Sequence, residues 1–394
     1  KIFKGMSGFN TNRLHMGYHY PRSLITRKQS LSGFKLFIKK YPNLYKKIKN
    51  NYIAISKNNS KVNFINYKKI MRKNNLPIIA SFRRQDIFDN FSSSYCGVAG
   101  FGKSNYIKSL LKSSDLIFAI NTSISDVLSD GYSIWKYPNP DQLLIQSTPS
   151  ESNLGNVFQP NIPILSDPNN LSSELAKISK LGNWKNLTKL ARAQFIKSLN
   201  LKKLSCEVDM NEIIHYLQKK LPSDVIICNG AGNFSLWNNN YFKYGRKARL
   251  IAPTSGSMGF GVPASIVAKM VFPKKTVICF SGDGDFQMNF SELGAALQNK
   301  VFPIIFIINN GSYGTIRMHQ EKAFPTRISA TNLQNPNFIK IAESYGFYAA
   351  TIKKTIDFYN VFEKALKSKK GAIIELNVSI ERITPEKNLS DINK

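Results

Sequence analysis

"SGDGDFQMNFSELGAALQNKVFPIIFIINNGSYG" (281–314) sets an acidic Gly-Asp-Gly turn after one apolar run and an Asn-Asn pair after the next. The runs "TVICF" (276–280) and "PIIFIIN" (303–309) have the length and β-branched content of buried parallel strands. A helix expected over 289–298 makes the stretch between them a crossover. In open α/β sheets ligands collect at the carboxyl ends of strands, where Asp283 and Asn310 fall. The 27 residues from 283 to 310 span one turn, one helix and one strand, so adjacent parallel strands would bring both side chains to one point.

Glycines 282 and 284 let the backbone approach a ligand closely and turn amide hydrogens toward phosphate oxygens. Asn289, with Glu292 three residues on, reads as a capping box for the helix that follows. One carboxylate and one amide oxygen are hard donors, suited to Mg²⁺ held jointly by protein and diphosphate.

Outward from this stretch the same alternation continues. On its N-terminal side come a helix over 209–220, strands at 224–229 and 249–253, and a Gly-rich helix start at "SGSMGFGVPAS". On its C-terminal side come a helix over 336–345, a strand at 347–353, a helix over 357–368 and a strand at 372–378. Together these predict a doubly wound sheet. An earlier series is read from strands at 52–56, 76–81, 115–122 and 142–148, with helices near 64–74, 104–113 and 170–180. The expected fold class is therefore α/β, with two doubly wound, mostly parallel-sheet domains. Their bounds are 46–181 and 207–385, with a connector at 182–206, an unassigned basic segment at 1–45 and a tail at 386–394.

Length and composition agree with two folded domains: 394 residues, 42% hydrophobic and 20% charged, close to ordinary globular averages. No apolar run approaches the ~18 residues that cross a bilayer, so a soluble protein without membrane contact is expected. Cys96, Cys206, Cys228 and Cys279 form no C-x-x-C pair, which favours a reducing cytoplasm. The net charge of +31 is concentrated at the start, since residues 1–85 hold 20 Lys or Arg and no acid. A nucleic-acid partner is not expected there, because the segment lacks a binding signature and Lys, Asn and Ile are frequent throughout. His15, His19 and His215 have no metal-ligand spacing and are expected to be structural or solvated.

A lone Gly-Asp-Gly is an ordinary turn, but the composite of G-D-G, this spacer and N-N resembles the signature of thiamine diphosphate enzymes. "GDGDFQMNFSEL" and "NNGSYGTIRMHQ" are similar to the acetolactate synthase group among them. The resemblance implies Mg²⁺ on Asp283, Asn310 and Ser312, the last through its backbone carbonyl. It implies a cofactor-binding set of Gly256, Ser257, Met258, Gly282, Gly284, Asp285 and Tyr313. Within "APTSGSMGFGVPASI" (252–266), Gly256 would accept from the aminopyrimidine and Met258 would wedge the cofactor into a bent shape. Asp285 stands where many relatives carry a small hydroxyl residue, so its carboxylate is expected to turn away from the diphosphate or toward the metal. Arg317, His319 and Tyr313 are candidates for substrate contacts or for packing.

"LPIIASFRRQDIFDNFSSSYCGVAGFG" resembles the middle domain of the same enzymes, which in several relatives holds FAD; no residue set here decides for flavin. The implied activity is decarboxylation of a 2-keto acid and acyl transfer to a second carbonyl, a transferase or lyase of branched-chain amino acid biosynthesis, working as a homodimer or homotetramer. A 2-keto acid decarboxylase of the same cofactor class is the alternative, and a catalytically incompetent cofactor-binding fragment or subunit is another. The family's N-terminal domain carries a glutamate that protonates the pyrimidine, whereas residues 1–85 contain none. The expectation is of middle and C-terminal domains alone, inactive as an isolated chain.

Overall fold

Continuous apolar segments such as "IIFIIN" and "VICFSG" suit strands buried on both faces, and that is the state they adopt. The computed structural model describes residues 75–177 and 183–392. The expected strand at 52–56, the helix near 64–74, segment 1–45, His15 and His19 lie outside these residues. The described residues all belong to one compact unit, and their strands fall in three sheets.

In the first, β1 (Ile78–Ser81) pairs in parallel with β2 (Tyr95–Ala99). The helix α1 (Asn105–Ser113) then leads to β3 (Leu116–Ile120) and the short α2 (Asp126–Ser129). β3 forms a separate parallel sheet with β4 (Leu143–Thr148) and β5 (Ile162–Leu165), in the order β3-β4-β5. α3 (Pro168–Lys177) follows. The segment expected as a connector contains α4 (Lys185–Ser198), whose Thr188, Ala191 and Phe195 recur at helical spacing and are buried. Phe195 meets Tyr95 of β2 edge to face at 5.1 Å, and Arg192 Nη1 donates to the carbonyls of Asn90 (2.9 Å) and Tyr95 (2.8 Å).

The remaining elements are α5 (Met210–Lys220), β6 (Ile226–Asn229), α6 (Ser235–Tyr241), β7 (Arg249–Ile251), α7 (Gly261–Val271) and β8 (Val277–Gly282). After them come α8 (Asp283–Asn289), α9 (Leu293–Asn299), β9 (Ile304–Asn309), α10 (Gly314–Ala323), α11 (Phe338–Ser344), β10 (Tyr348–Ile352), α12 (Thr355–Lys367) and β11 (Ala372–Asn377). The six strands make one parallel sheet in the order β10-β11-β9-β8-β6-β7. The strand period of two divides its side chains between two cores. Ile227, Phe280 and Phe306 join α5 and α12 on one face, while Cys228, Cys279 and Ile305 join α7, α9 and α11 on the other. Such an α/β sheet, helices on both faces, is the fold the alternation predicts.

The order also fixes where a ligand belongs. β7 lies on one side of β6 and β8 on the other, so the chain reverses direction there and opens a crevice beyond the carboxyl ends of β6 and β8. The Gly-Asp-Gly read as a turn is the start of α8, directly after β8. The expected capping box does not form. Asn289 Nδ2 instead donates to the Gly259 carbonyl (2.8 Å), a tertiary bond that turns the side chain toward the loop before α7.

Candidate functional site

A cavity of about 1020 Å³ occupies that crevice. The ends of β6, β8 and β9 wall it on one side, and the segments after β1 (Ser81–Arg84) and β3 (Asn121–Thr122) on the other. Asp283, Asn310 and Ser312 all line it, as do Gly256, Met258, Gly282, Gly284, Asp285 and Tyr313. Ser257 does not: its exposed hydroxyl lies 2.8 Å from that of Ser255, outside the cavity lining.

β8 and β9 are neighbours in the sheet, which is why Asp283 and Asn310 reach the same space. Asp283 is 2% exposed, and its Oδ2 accepts from Asn335 Nδ2 at 2.8 Å. Burial pushes its carboxyl pKa up, while hydrogen bonds from Asn335 and from the backbone of Gly284 and Gly311 pull it down. Asn310 Oδ1 accepts from Ser312 N (3.0 Å). The Ser312 hydroxyl donates to Thr331 O (2.8 Å), so it is committed to the protein.

Asp285 turns its carboxylate into the protein. Its carboxylate accepts from Gly259 N (2.8 Å), Ala231 N (3.1 Å) and the Ser281 hydroxyl. Neither the diphosphate nor the metal side is needed to explain it, because it braces the loop after β6 against the turn before α7. Burial raises its pKa, and these three donors oppose that rise.

The two glycines that matter most are 256 and 284. Gly256 has φ +79°, and a Cβ there would stand 3.3 Å from Arg83 Nη1. A Cβ on Gly284 would stand 2.5 Å from the ring of Tyr313. Arg83 Nη1 itself donates to Pro253 O (2.7 Å), holding the turn that carries Gly256 and the half-buried Met258. Of the substrate-contact candidates, His319 lines the cavity, while Arg317 pairs with buried Glu321 one helical turn away and is a packing residue. His215 is exposed on α5, as a solvated histidine should be.

Sequence reasoning passed over Asn335 and Arg83. Asn335 sits in "QNPNF", where a helix start hides any other role. Arg83 carries φ +62°, a left-handed backbone that no residue pattern discloses. Among the described residues no group of three or more His, Cys, Asp or Glu could hold a metal. A cation here would depend on Asp283, Asn310 and oxygens of a ligand, a hard-donor set that fits Mg²⁺ shared with a diphosphate.

Residues 230–376 match the thiamine pyrophosphate enzyme C-terminal TPP-binding domain, and residues 66–175 match the central domain of the same enzymes. The chain belongs to the thiamine pyrophosphate enzymes. Among relatives of this chain is the acetolactate synthase large subunit of Buchnera aphidicola subsp. Acyrthosiphon pisum (strain APS). It is 28% identical over 320 residues, which are 78% of this chain and 55% of the relative. The acetolactate synthase isozyme 3 large subunit of Escherichia coli (strain K12) is 24% identical over 321 residues, 78% of this chain and 55% of its own length. An acetolactate synthase of Arthrospira platensis is 32% identical over 158 residues, 40% of this chain and 27% of the relative. The chain thus spans about half the length of the first two. No described helix of this chain is long and apolar enough to cross a membrane.

Proposed function

We propose that this chain binds thiamine diphosphate with Mg²⁺ and serves acetolactate synthase-like carbon–carbon bond chemistry on 2-keto acids. The observation that supports it is the convergence of Asp283 and Asn310, from neighbouring strands, on one cavity with the Gly256–Met258 turn. Asp283, Asn310 and the Ser312 carbonyl would hold the cation, and Gly282 and Gly284 would admit the diphosphate. Gly256 and Met258 would meet the pyrimidine, with Tyr313 beside Gly284. When bound, that cofactor would supply a carbon nucleophile and an electron sink for decarboxylation.

What the chain's own residues contribute is positioning. Asp285 fixes Gly259 and Ala231, and Arg83 fixes Pro253, so both sides of the turn that carries Met258 are anchored. A homodimer or homotetramer is part of this reading. Val267, Met270 and Val271, at helical spacing on α7, are 41–49% exposed, and a second copy would cover them. Calorimetry of thiamine diphosphate binding, with and without Mg²⁺, tests the core of the proposal: cation-dependent uptake is expected, and uptake indifferent to Mg²⁺ would remove the metal from it.

A further inference from the structure

Only the second asparagine of the Asn309-Asn310 pair faces the cavity. Asn309, the last residue of β9, instead joins a hydrogen-bonded chain that runs from Glu375 to Asp283. We infer that Asn335, its amide polarity imposed by Glu375 through Asn309, is a positioning residue that fixes the Asp283 carboxylate for a divalent cation. This rests on the metal reading of the preceding subsection.

The chain begins in the sheet. Glu375 on β11 is paired with Thr351 on β10 and with Ile307 on β9. Asn309 stands two residues beyond Ile307 and so shares its face. Glu375 Oε2 accepts from Thr351 Oγ1 (2.8 Å) and Oε1 from Asn309 Nδ2 (2.6 Å). With both Glu375 oxygens accepting, Asn309 turns its amino group toward Glu375 and its oxygen away. That oxygen accepts from Gly311 N (3.0 Å) and Asn335 Nδ2 (2.8 Å). The same Asn335 nitrogen donates to Asp283 Oδ2 (2.8 Å). Asn335 Oδ1 accepts from Gln287 Nε2 (2.9 Å), which leaves its amide only one orientation.

The backbone presents Asn335 firmly. Pro336 follows and keeps it out of the helical region, Asn337 caps α11 by accepting from Lys340 N (2.9 Å), and Leu333 N donates to Gly311 O (2.8 Å). Neither Asn309 nor Asn335 lines the cavity. An apolar pair could fill their places, yet a reversed or apolar amide would deliver no N–H to Asp283. The polarity of the chain therefore matters at Asp283. Holding one carboxylate oxygen fixes the plane of the group, and with it the direction in which the carboxylate meets a cation.

The test uses the full chain with Mn²⁺ as the probe, in excess thiamine diphosphate, read by water-proton relaxation. Asn335→Ala should weaken Mn²⁺ binding about tenfold, at the lower end of what loss of an orienting partner causes. Glu375→Gln, nearly isosteric, lets Asn309 reverse and should weaken it by a smaller factor. The double variant should bind no more weakly than Asn335→Ala, because both act through one contact. A lowered melting temperature with unchanged Mn²⁺ affinity in Asn335→Ala would make its role structural and overturn the inference, as would additive losses in the double variant. If Asn335→Ala does not fold, Glu375→Gln decides alone. A native chain that takes up no Mn²⁺ would instead overturn the metal reading itself.

Discussion

The carboxylate of Asp285 occupies the space that a side chain on residue 230 would need: a Cβ on Gly230 would lie 1.9 Å from Asp285 Oδ2. Three donors hold that carboxylate in place, so it cannot swing aside cheaply. Gly230→Ala should therefore cost ~1–3 kcal/mol, the range for overpacking a filled site. Urea unfolding measures it, and a variant as stable as the native chain would show that Asp285 yields.

Asp283→Ala should abolish the Mg²⁺ dependence of thiamine diphosphate binding while the fold persists, because the cation that offsets the diphosphate charge loses its carboxylate. Asn310→Leu should act in the same direction. Ser312→Ala should change little, since its hydroxyl is bound to Thr331 and only its carbonyl is assigned to the cation. Calorimetry on folded variants checks all three, and normal affinity in Asp283→Ala would refute the assignment.

These 394 residues alone should exchange the C2 proton of bound thiamine diphosphate slowly. The acids lining the cavity are Asp126, Asp283, Asp285 and Glu386. Asp283 and Asp285 are engaged as described, and Glu386 accepts from Tyr241 Oη at 2.8 Å. Lack of an acid/base partner for the pyrimidine typically costs ~10²–10⁴ in rate. Proton exchange followed by NMR reads this directly, and fast exchange would point to Asp126 or Glu386 as the acid.

Asp130 should give the stability a pH dependence at the acid end. Hydrogen bonding by Lys108 and the charge of Lys103 hold its pKa below the usual aspartate value. A depressed folded pKa means that the contribution is present above the unfolded aspartate pKa and is lost as the pH falls through the folded one. Asp130→Asn tolerates the same φ of +57° but loses both ion pairs. Thermal melts at pH 7 and in the acid range should show the variant losing less stability on acidification than the native chain.

The sequence discloses the six-stranded sheet well because its strands are short apolar runs separated by amphipathic or glycine-led helices, as at 303–309 and 357–368. It discloses Asp283 and Asn310 because chemistry and spacing coincide. Other elements lack such a signal. β2 reads "YCGVA", with a glycine and little β-branching, and is recognisable only through its full burial. α6 reads "SLWNNNY", poor helix formers that stay because Asn239 Oδ1 accepts from Asn229 Nδ2 (2.9 Å) and Trp237 Nε1 donates to Asn211 Oδ1 (2.7 Å). α4 was hidden by lysines on its outer face, although three residues anchor it. Asp285 and Asn335 are legible only as residue types, since, Ser281 apart, the partners of Asp285 and the Asp283 and Asn309 partners of Asn335 lie 26 or more positions away.

The cavity is walled by segments from both the small sheets and the large one, and Arg83 crosses between them to Pro253. A molecule filling that space would touch both walls at once and would be released whenever either wall came apart. Its binding free energy is then added to the cohesion between the sheets, by mass action. The loaded chain would have to surrender its ligand before either wall could leave, so its melting temperature should rise with ligand concentration.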